Sequence, residues 1–343
     1  EWSNRMNRSH RRVPFLMLGV AASIFLMMSP GVLAQALDSE PLVLEAKIPL
    51  GRVEGRIDHL AVDLEHHRLF VAELGNNSVG VVDLDTKAVV HRISGLSEPQ
   101  GVAYVPASAT LYVANAGDGS LRFYRGADYA PTGKLDLGSD ADNVRVDAEV
   151  GKLLIGYGSG ALATVDPASN QKVAAYVLKA HPESFQIDTK SNRIFVNLPS
   201  AHSITVLDRA TGKELASWSM RHGGNFAMAL DRDEARVFTV FRSPTKLVAF
   251  SYEKGTAVAE VDACGDADDV FMDTKRKRLY VSCGAGFIDV IGIEAASLRR
   301  LARLVSVDGA RTSLFVPELD RLYVAVRARA GQGAAIWVYR TSP

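Results

Sequence analysis

Residues 60–72 read LAVDLEHHRLFVA, and residues 102–114 read VAYVPASATLYVA. Both are a short β-prone run, a polar turn, then a leucine followed by an aromatic residue and a valine. The phrase returns as VRVDAEVGKLLIG from Val144, FQIDTKSNRIFVN from Phe185 and MALDRDEARVFTV from Met228. It closes with VFMDTKRKRLYVS from Val270 and SLFVPELDRLYVA from Ser313. The apolar landmark falls at Leu69, Leu111, Leu153, Ile194, Val237, Leu279 and Leu322, at spacings of 42, 42, 41, 43, 42 and 43 residues. A fixed period of this length marks a repeat architecture, in which each unit buries its apolar faces only against its neighbours.

The first unit divides into four expected strands, at 59–62, 68–72, 78–84 and 88–93, with Gly75-Asn76-Asn77 as a turn. These runs are rich in Val, Leu, Ile, Phe and Tyr and are bounded by Gly, Asn, Asp and Pro. Four strands in a unit of this size make a β-propeller blade. The expected fold is all-β: one seven-bladed β-propeller domain of four-stranded antiparallel blades over residues 37–343. Residues 294–301, the best helical candidate, are read as strand and turn. The seventh copy ends after its third strand, at 335–340, while an unmatched strand, LVLEAKI at 42–48, precedes the first copy. Pairing the two completes the last blade, closes the ring and removes an exposed edge.

Met6 is the expected initiator, with residues 1–5 read as upstream sequence. Arg8, Arg11 and Arg12 precede an apolar run, FLMLGVAASIFLMM at 15–28, and a small-residue exit ending in Ala34 or Ala36. This is the layout of a signal peptide over residues 1–36. The run is shorter than the ~18–20 residues that span a bilayer, so no membrane span is expected in the mature chain. Arg11-Arg12 resembles a twin-arginine signal, but Pro14 intrudes. A periplasmic or secreted protein follows. Without residues 1–34 the chain carries 35 basic and 38 acidic residues, a net of −3. That balance argues against a nucleic-acid partner, since phosphate contacts demand Lys and Arg. Lys275-Arg276-Lys277-Arg278 falls in an expected hairpin turn and is read as a solvated turn.

The segments LFVAE at 69–73, LYVANAGDGSLRFY at 111–124, IFVN at 194–197 and LYVS at 279–282 resemble the YVTN repeats of the YncE-like exported propellers. The resemblance covers all seven units. It implies fold and export and is nearly silent on activity.

Inner strands line a propeller's channel, so the residues entering them form its mouth. Eleven places before each landmark stand Asp58, Gln100, Asp142, Glu183, Phe226, Asp268 and Arg311. The next position adds His59, Asn143 and Asp269. One expectation is an ion-paired mouth in which Arg311 pairs with Asp58 and Asp268, and Gln100 bridges Asp58 and Asp142. Another is a divalent cation such as calcium held by oxygen ligands. The register is similar to that of gluconolactonase and SMP-30-type propellers. That resemblance implies Asp58, Asp142 and Asp268 as metal ligands, with Glu183 a fourth, although those enzymes have six blades. His59 is the candidate base for a metal-dependent hydrolase or lactonase. His181 and His222 lie in loops on the same face. Cys264 and Cys283 flank the mouth of blade six, as a disulfide or as two buried thiols. The acidic turn residues Asp63, Asp147, Asp188, Asp231 and Asp273, each five places before Arg or Lys, are read as turn-stabilising, with a surface ion pair. The leading expectation is a monomeric binding protein for a small-molecule ligand, cation or protein partner. A cell-surface structural module is the third reading.

Overall fold

The computed structural model describes residues 40–343; the expected leader at 1–36 lies outside the described residues. Blade one comprises Leu60–Asp63, Arg68–Glu73, Ser78–Asp83 and Ala88–Ser94, paired antiparallel in that order. Each bound falls within one residue of expectation. Six further four-stranded sheets repeat the pattern. Their inner strands are Pro99–Val105, Val144–Asp147, Phe185–Asp188, Gly223–Asp231, Ala267–Asp273 and Ser313–Val316. The expected turn at 75–77 is a single 3-10 turn, Leu74–Asn76, closed by Asn77 in the left-handed region at φ 52°. The segment around 294–301 enters a strand, Leu298–Asp308. Among the described residues no helix is long and apolar enough to cross a membrane.

The repeated Leu-aromatic-Val phrase explains how blades adhere. Side chains alternate across a strand, so consecutive residues of the second strand meet different neighbours. Leu69 packs with Ile336 and Val338 of blade seven, while Phe70 packs with Leu111 and Val113 of blade two. Tyr112 then faces blade three beside Leu153, and Leu154 faces blade four beside Ile194. The same alternation carries Phe195, Phe238, Tyr280 and Tyr323 onto the following blade. Seven apolar clusters result, each shared by two adjacent blades. In six blades the pairing of third with fourth strand also slips one residue at the same place, after Val81, Phe123, Thr164, Val206, Ala249 and Val290. Such bulges increase twist and let each sheet flare away from the axis.

The ring closes as expected, with longer strands. Leu42–Gly51 pairs antiparallel with Ala334–Thr341, so that Leu42 faces Thr341, Ile48 faces Ile336 and Gly51 faces Ala334. The seventh blade therefore takes its outermost strand from the start of the described chain and the other three from its end.

The acidic turns differ from expectation in one respect. Asp63, Asp188, Asp231 and Asp273 do accept hydrogen bonds from backbone N–H groups two or three residues on. All five aspartates are buried, however, and only Asp231 pairs with the cation five places later, Arg236 at 2.8 Å. Arg68 and Lys152 instead reach Asp83 and Asp166 at the ends of third strands. Asp147 is held by both Nε and Nη2 of Arg209, from blade four, at 2.5 and 2.7 Å. Arg276, within the basic run, joins Asp273 to Asp320 of blade seven at 3.0 and 2.8 Å. At Asp147 and Asp273 the turns are inter-blade ties rather than solvated loops, because the polar atoms left at the end of an inner strand need partners once the blades close over them.

Because Ile48 and Ile336 face one another in a shared cluster, Ile48→Ala and Ile336→Ala should each cost about 2–5 kcal/mol. Their double variant should cost less than the sum. Urea unfolding of the three variants checks this.

Candidate functional site

One backbone device sets the mouth in register. The two residues entering an inner strand bond to the end of the second strand. Asp58 N–H donates to the Ala72 carbonyl at 2.8 Å, and Ala72 N–H returns to His59 at 3.0 Å. Asp142 and Asn143 make the same exchange with Gly156, as do Glu183 and Ser184 with Asn197. Between Asp58 and Asp142 stands blade two, where Gly101 follows Gln100; a Cβ there would collide with the Asp142 carbonyl oxygen. Glycine lets the neighbouring entry loops approach.

Asp58, Gln100, Asp142, Glu183, Phe226, Asp268 and Arg311 all line one bowl of about 310 Å3. Asn143 and His59 line it too. Asp269 lies beneath: its Oδ2 accepts the Ser313 N–H at 2.9 Å and stands 3.6 Å from Nδ1 of His59. The walls also contain Arg56, Asp140, His181 and Arg242. Three of these stand two places before a ring residue, thirteen before the landmark, as does Asp266. Extending the register by one alternation finds them in the sequence. Arg242 carries no such signal, since it closes the second strand of blade five, Arg236–Ser243. His222 does not line the bowl; it sits 3.7 Å from Glu260 and edge-on to Phe241.

Charges in the bowl are largely paired, in a pattern that corrects the expected one. Arg311 binds Asp268 at 2.5 Å and Asp266 at 3.1 Å, not Asp58. Asp58 is taken by Arg56 at 2.6 Å. Arg242 pairs with Asp268 and lies 3.6 Å over the Phe226 ring, a cation–π contact. The Gln100 side chain bridges no carboxylates among the described residues; its backbone carbonyl accepts the His59 N–H at 3.2 Å. Burial pushes Asp268 up to about 6 against the pull of Arg311 and Arg242. It raises Asp58 as well.

This donor set does not fit the expected cation at Asp58, Asp142 and Asp268. Two of the three carboxylates already carry guanidinium partners. Among the described residues no three His, Cys, Asp or Glu side chains stand where they could hold a metal ion. Nor is His59 placed to act as a base. Burial opposes its protonation, but Asp269, then Asp58 and Asp142, outweigh that and hold it at about 10. His181 is held at about 9, burial again opposed by Asp142, the Gly158 carbonyl and Asp140. Both rings are cations at neutral pH, and a protonated imidazole accepts no proton.

Three acceptors on blades three and four are left over, besides Asp58 Oδ2, which meets Arg56 at ion-pair distance without a hydrogen bond. Asp142 Oδ1 and Asn143 Oδ1 are buried without a hydrogen-bond partner. The Glu183 carboxylate has no hydrogen-bond or ion-pair partner among the described residues, and burial, then Asp142, pushes it up to about 7. Beside the bowl, Cys264 and Cys283 form a disulfide with Cα atoms 5.8 Å apart, tying the loop before Ala267–Asp273 to the end of Arg278–Cys283.

No protein-family profile matches the chain, and no curated protein sequence matches it. Solved structures do. A chain of the hydrazine synthase of Kuenenia stuttgartiensis superposes with a TM-score of 0.73 at 15% identity, covering 85% of this chain and 98% of that one. A chain of a mitotic checkpoint complex gives 0.74 at 13% identity, covering 97% and 99%. At such identities the likeness shows the fold alone.

Because His59 and His181 have folded-state values above the ordinary 6.5, the stability their ion pairs contribute is full below that pH. It is lost as pH rises through about 9 and then about 10. Nitrogen-15 spectra of the imidazoles should show these two rings still doubly protonated at pH 8, and His59→Gln should remove one of the signals. A neutral His59 at that pH would contradict the ion-pair geometry.

Proposed function

We propose that the chain is an exported binding protein of the YVTN-repeat type, whose bowl takes one small polar ligand rich in hydrogen-bond donors. The observation that carries this is the set of acceptors without partners that blades three and four bring to the bowl: Asp142 Oδ1, Asn143 Oδ1 and the Glu183 carboxylate. Buried polar atoms in folded proteins are almost always satisfied, so a group from outside belongs against them. The guanidinium groups of Arg56, Arg242 and Arg311 are already engaged by Asp58, Asp266 and Asp268. A ligand bearing ammonium or hydroxyl donors is therefore favoured over an anion. A bowl of about 310 Å3 holds roughly ten non-hydrogen atoms, taking ~30 Å3 for each as for water. All seven ring positions come from one chain, so the bowl is complete in a monomer. The disulfide supports an oxidising compartment, in keeping with the leader at 1–36.

Native mass spectrometry of protein exported to a bacterial periplasm tests the reading. One small adduct per chain is expected, released on denaturation and absent from the Asp142→Asn, Glu183→Gln double variant. An adduct retained by that variant, or a bare native chain that also binds no amine or polyol fragment by NMR, would overturn it.

Glu183 gives a separate test. Its folded-state value of about 7 lies above the ordinary 4.5, so between these values the native state binds the extra proton and stability falls as pH rises. Glu183→Gln should raise the melting temperature at pH 8, by an amount equivalent to roughly 1–3 kcal/mol, and leave it unchanged near pH 4.

A further inference from the structure

Beneath the bowl lies a second cavity, of about 410 Å3, and His59 lines both. It follows the inner strands of all seven blades. Each of these strands is the edge of its sheet, so its outward N–H and C=O groups face the channel without a partner strand. Into this chamber blade three contributes Arg145. Its guanidinium makes one hydrogen bond, Nη1 to the Val144 carbonyl at 3.0 Å, and stands 5.7 Å from the Phe185 ring. No carboxylate lies within ion-pair distance of it among the described residues. The acids that act on it from farther off are Asp269, which receives the Ser313 N–H and faces His59, and Asp142, whose Oδ2 lies 3.9 Å from His181. Arg232, farther along, is already placed against Asp188 and the Ile187 carbonyl. Arg145 is half-buried in the channel; a guanidinium drawn out of water without a counter-charge is costly, and burial correspondingly lowers its pKa.

We propose that this chamber is a second binding site, for a small hydroxy-carboxylate whose carboxylate is gripped by Arg145. The planar fork of a guanidinium matches a carboxylate through two parallel hydrogen bonds. Hydroxyl groups on the ligand meet the free edges of the inner strands, which an alkyl chain would leave unsatisfied. A single negative charge balances Arg145, whereas the second charge of a phosphate would meet Asp269 and Asp142. The chamber therefore has the opposite preference to the bowl, with His59 as the partition.

Calorimetric titration with sodium glycerate beside its neutral amide, at constant ionic strength in low chloride, tests the assignment. Glycerate should bind about tenfold or more tightly than glyceramide, as befits a hydrogen bond to a charged group. In Arg145→Gln that preference should fall to roughly twofold or less, and Glu183→Gln in the bowl should leave glycerate binding unchanged. Should Arg145→Gln fail to fold, Arg145→Lys, which keeps the charge and loses the fork, should weaken glycerate severalfold. Equal binding of glycerate and glyceramide by the native chain would overturn the proposal, as would native-like glycerate binding by the Arg145 variants. Loss of glycerate binding in Glu183→Gln would place the anion in the bowl and also overturn it. In the native spectra a chamber carboxylate is told from the bowl ligand by its mass and by its loss in Arg145→Gln rather than in the Asp142→Asn, Glu183→Gln variant, so the two readings fail separately.

Discussion

The strand Leu42–Gly51, laid along Ala334–Thr341, carries more consequence than any other pairing in the molecule. A propeller blade is apolar on both faces, so an open row of seven would leave one face of its first blade and one of its last in water. Closure brings Leu60, Leu69 and Val71 of blade one against Tyr323, Ala325 and Ile336 of blade seven, and this cluster makes the row a ring. Once the ring is shut, the position of each entry loop is a matter of register. The exchange of hydrogen bonds between Asp58, His59 and Ala72, repeated in other blades, converts a sequence offset into a place at the mouth.

Placing six polar residues and one phenylalanine round a small opening raises an electrostatic problem, and the bowl solves most of it locally. Carboxylates drawn from solvent become harder to ionise, as Asp58, Asp268 and Glu183 all show. Guanidinium groups from the same or adjacent blades compensate Asp58 and Asp268. Two imidazoles take up protons beside Asp269, Asp58, Asp140 and Asp142. What the pairing leaves over is Asp142, Asn143 and Glu183 in the bowl and Arg145 in the chamber below, the groups on which the two proposed sites rest. The two remainders have opposite character, and His59 stands between them.

A metal-dependent hydrolase looked attractive from the ring positions because three aspartates share one register. Register says that three side chains reach the same rim; it does not say that they reach one another. They arise from blades one, three and six, and two of the three are already paired with arginine. Arg56 stands two residues before Asp58, but Arg242 comes from the far end of a second strand, so its presence beside Asp268 depends on how blades five and six abut.

The period of the Leu69 landmark, the alternation of side chains around it and the unmatched strand at 42–48 by themselves determined the number of blades, the two faces of each and the means of closure. They could do so because these features depend on local periodicity and on the strong preference of apolar surface for burial. The same register named every ring residue of the bowl. Which charge pairs with which was decided only by the tertiary structure. Arg209 reaching Asp147, Arg276 reaching Asp320, and Arg242 reaching Asp268 are contacts between blades. Their energies depend on distances of a few ångströms and on burial, neither of which a spacing along the chain contains.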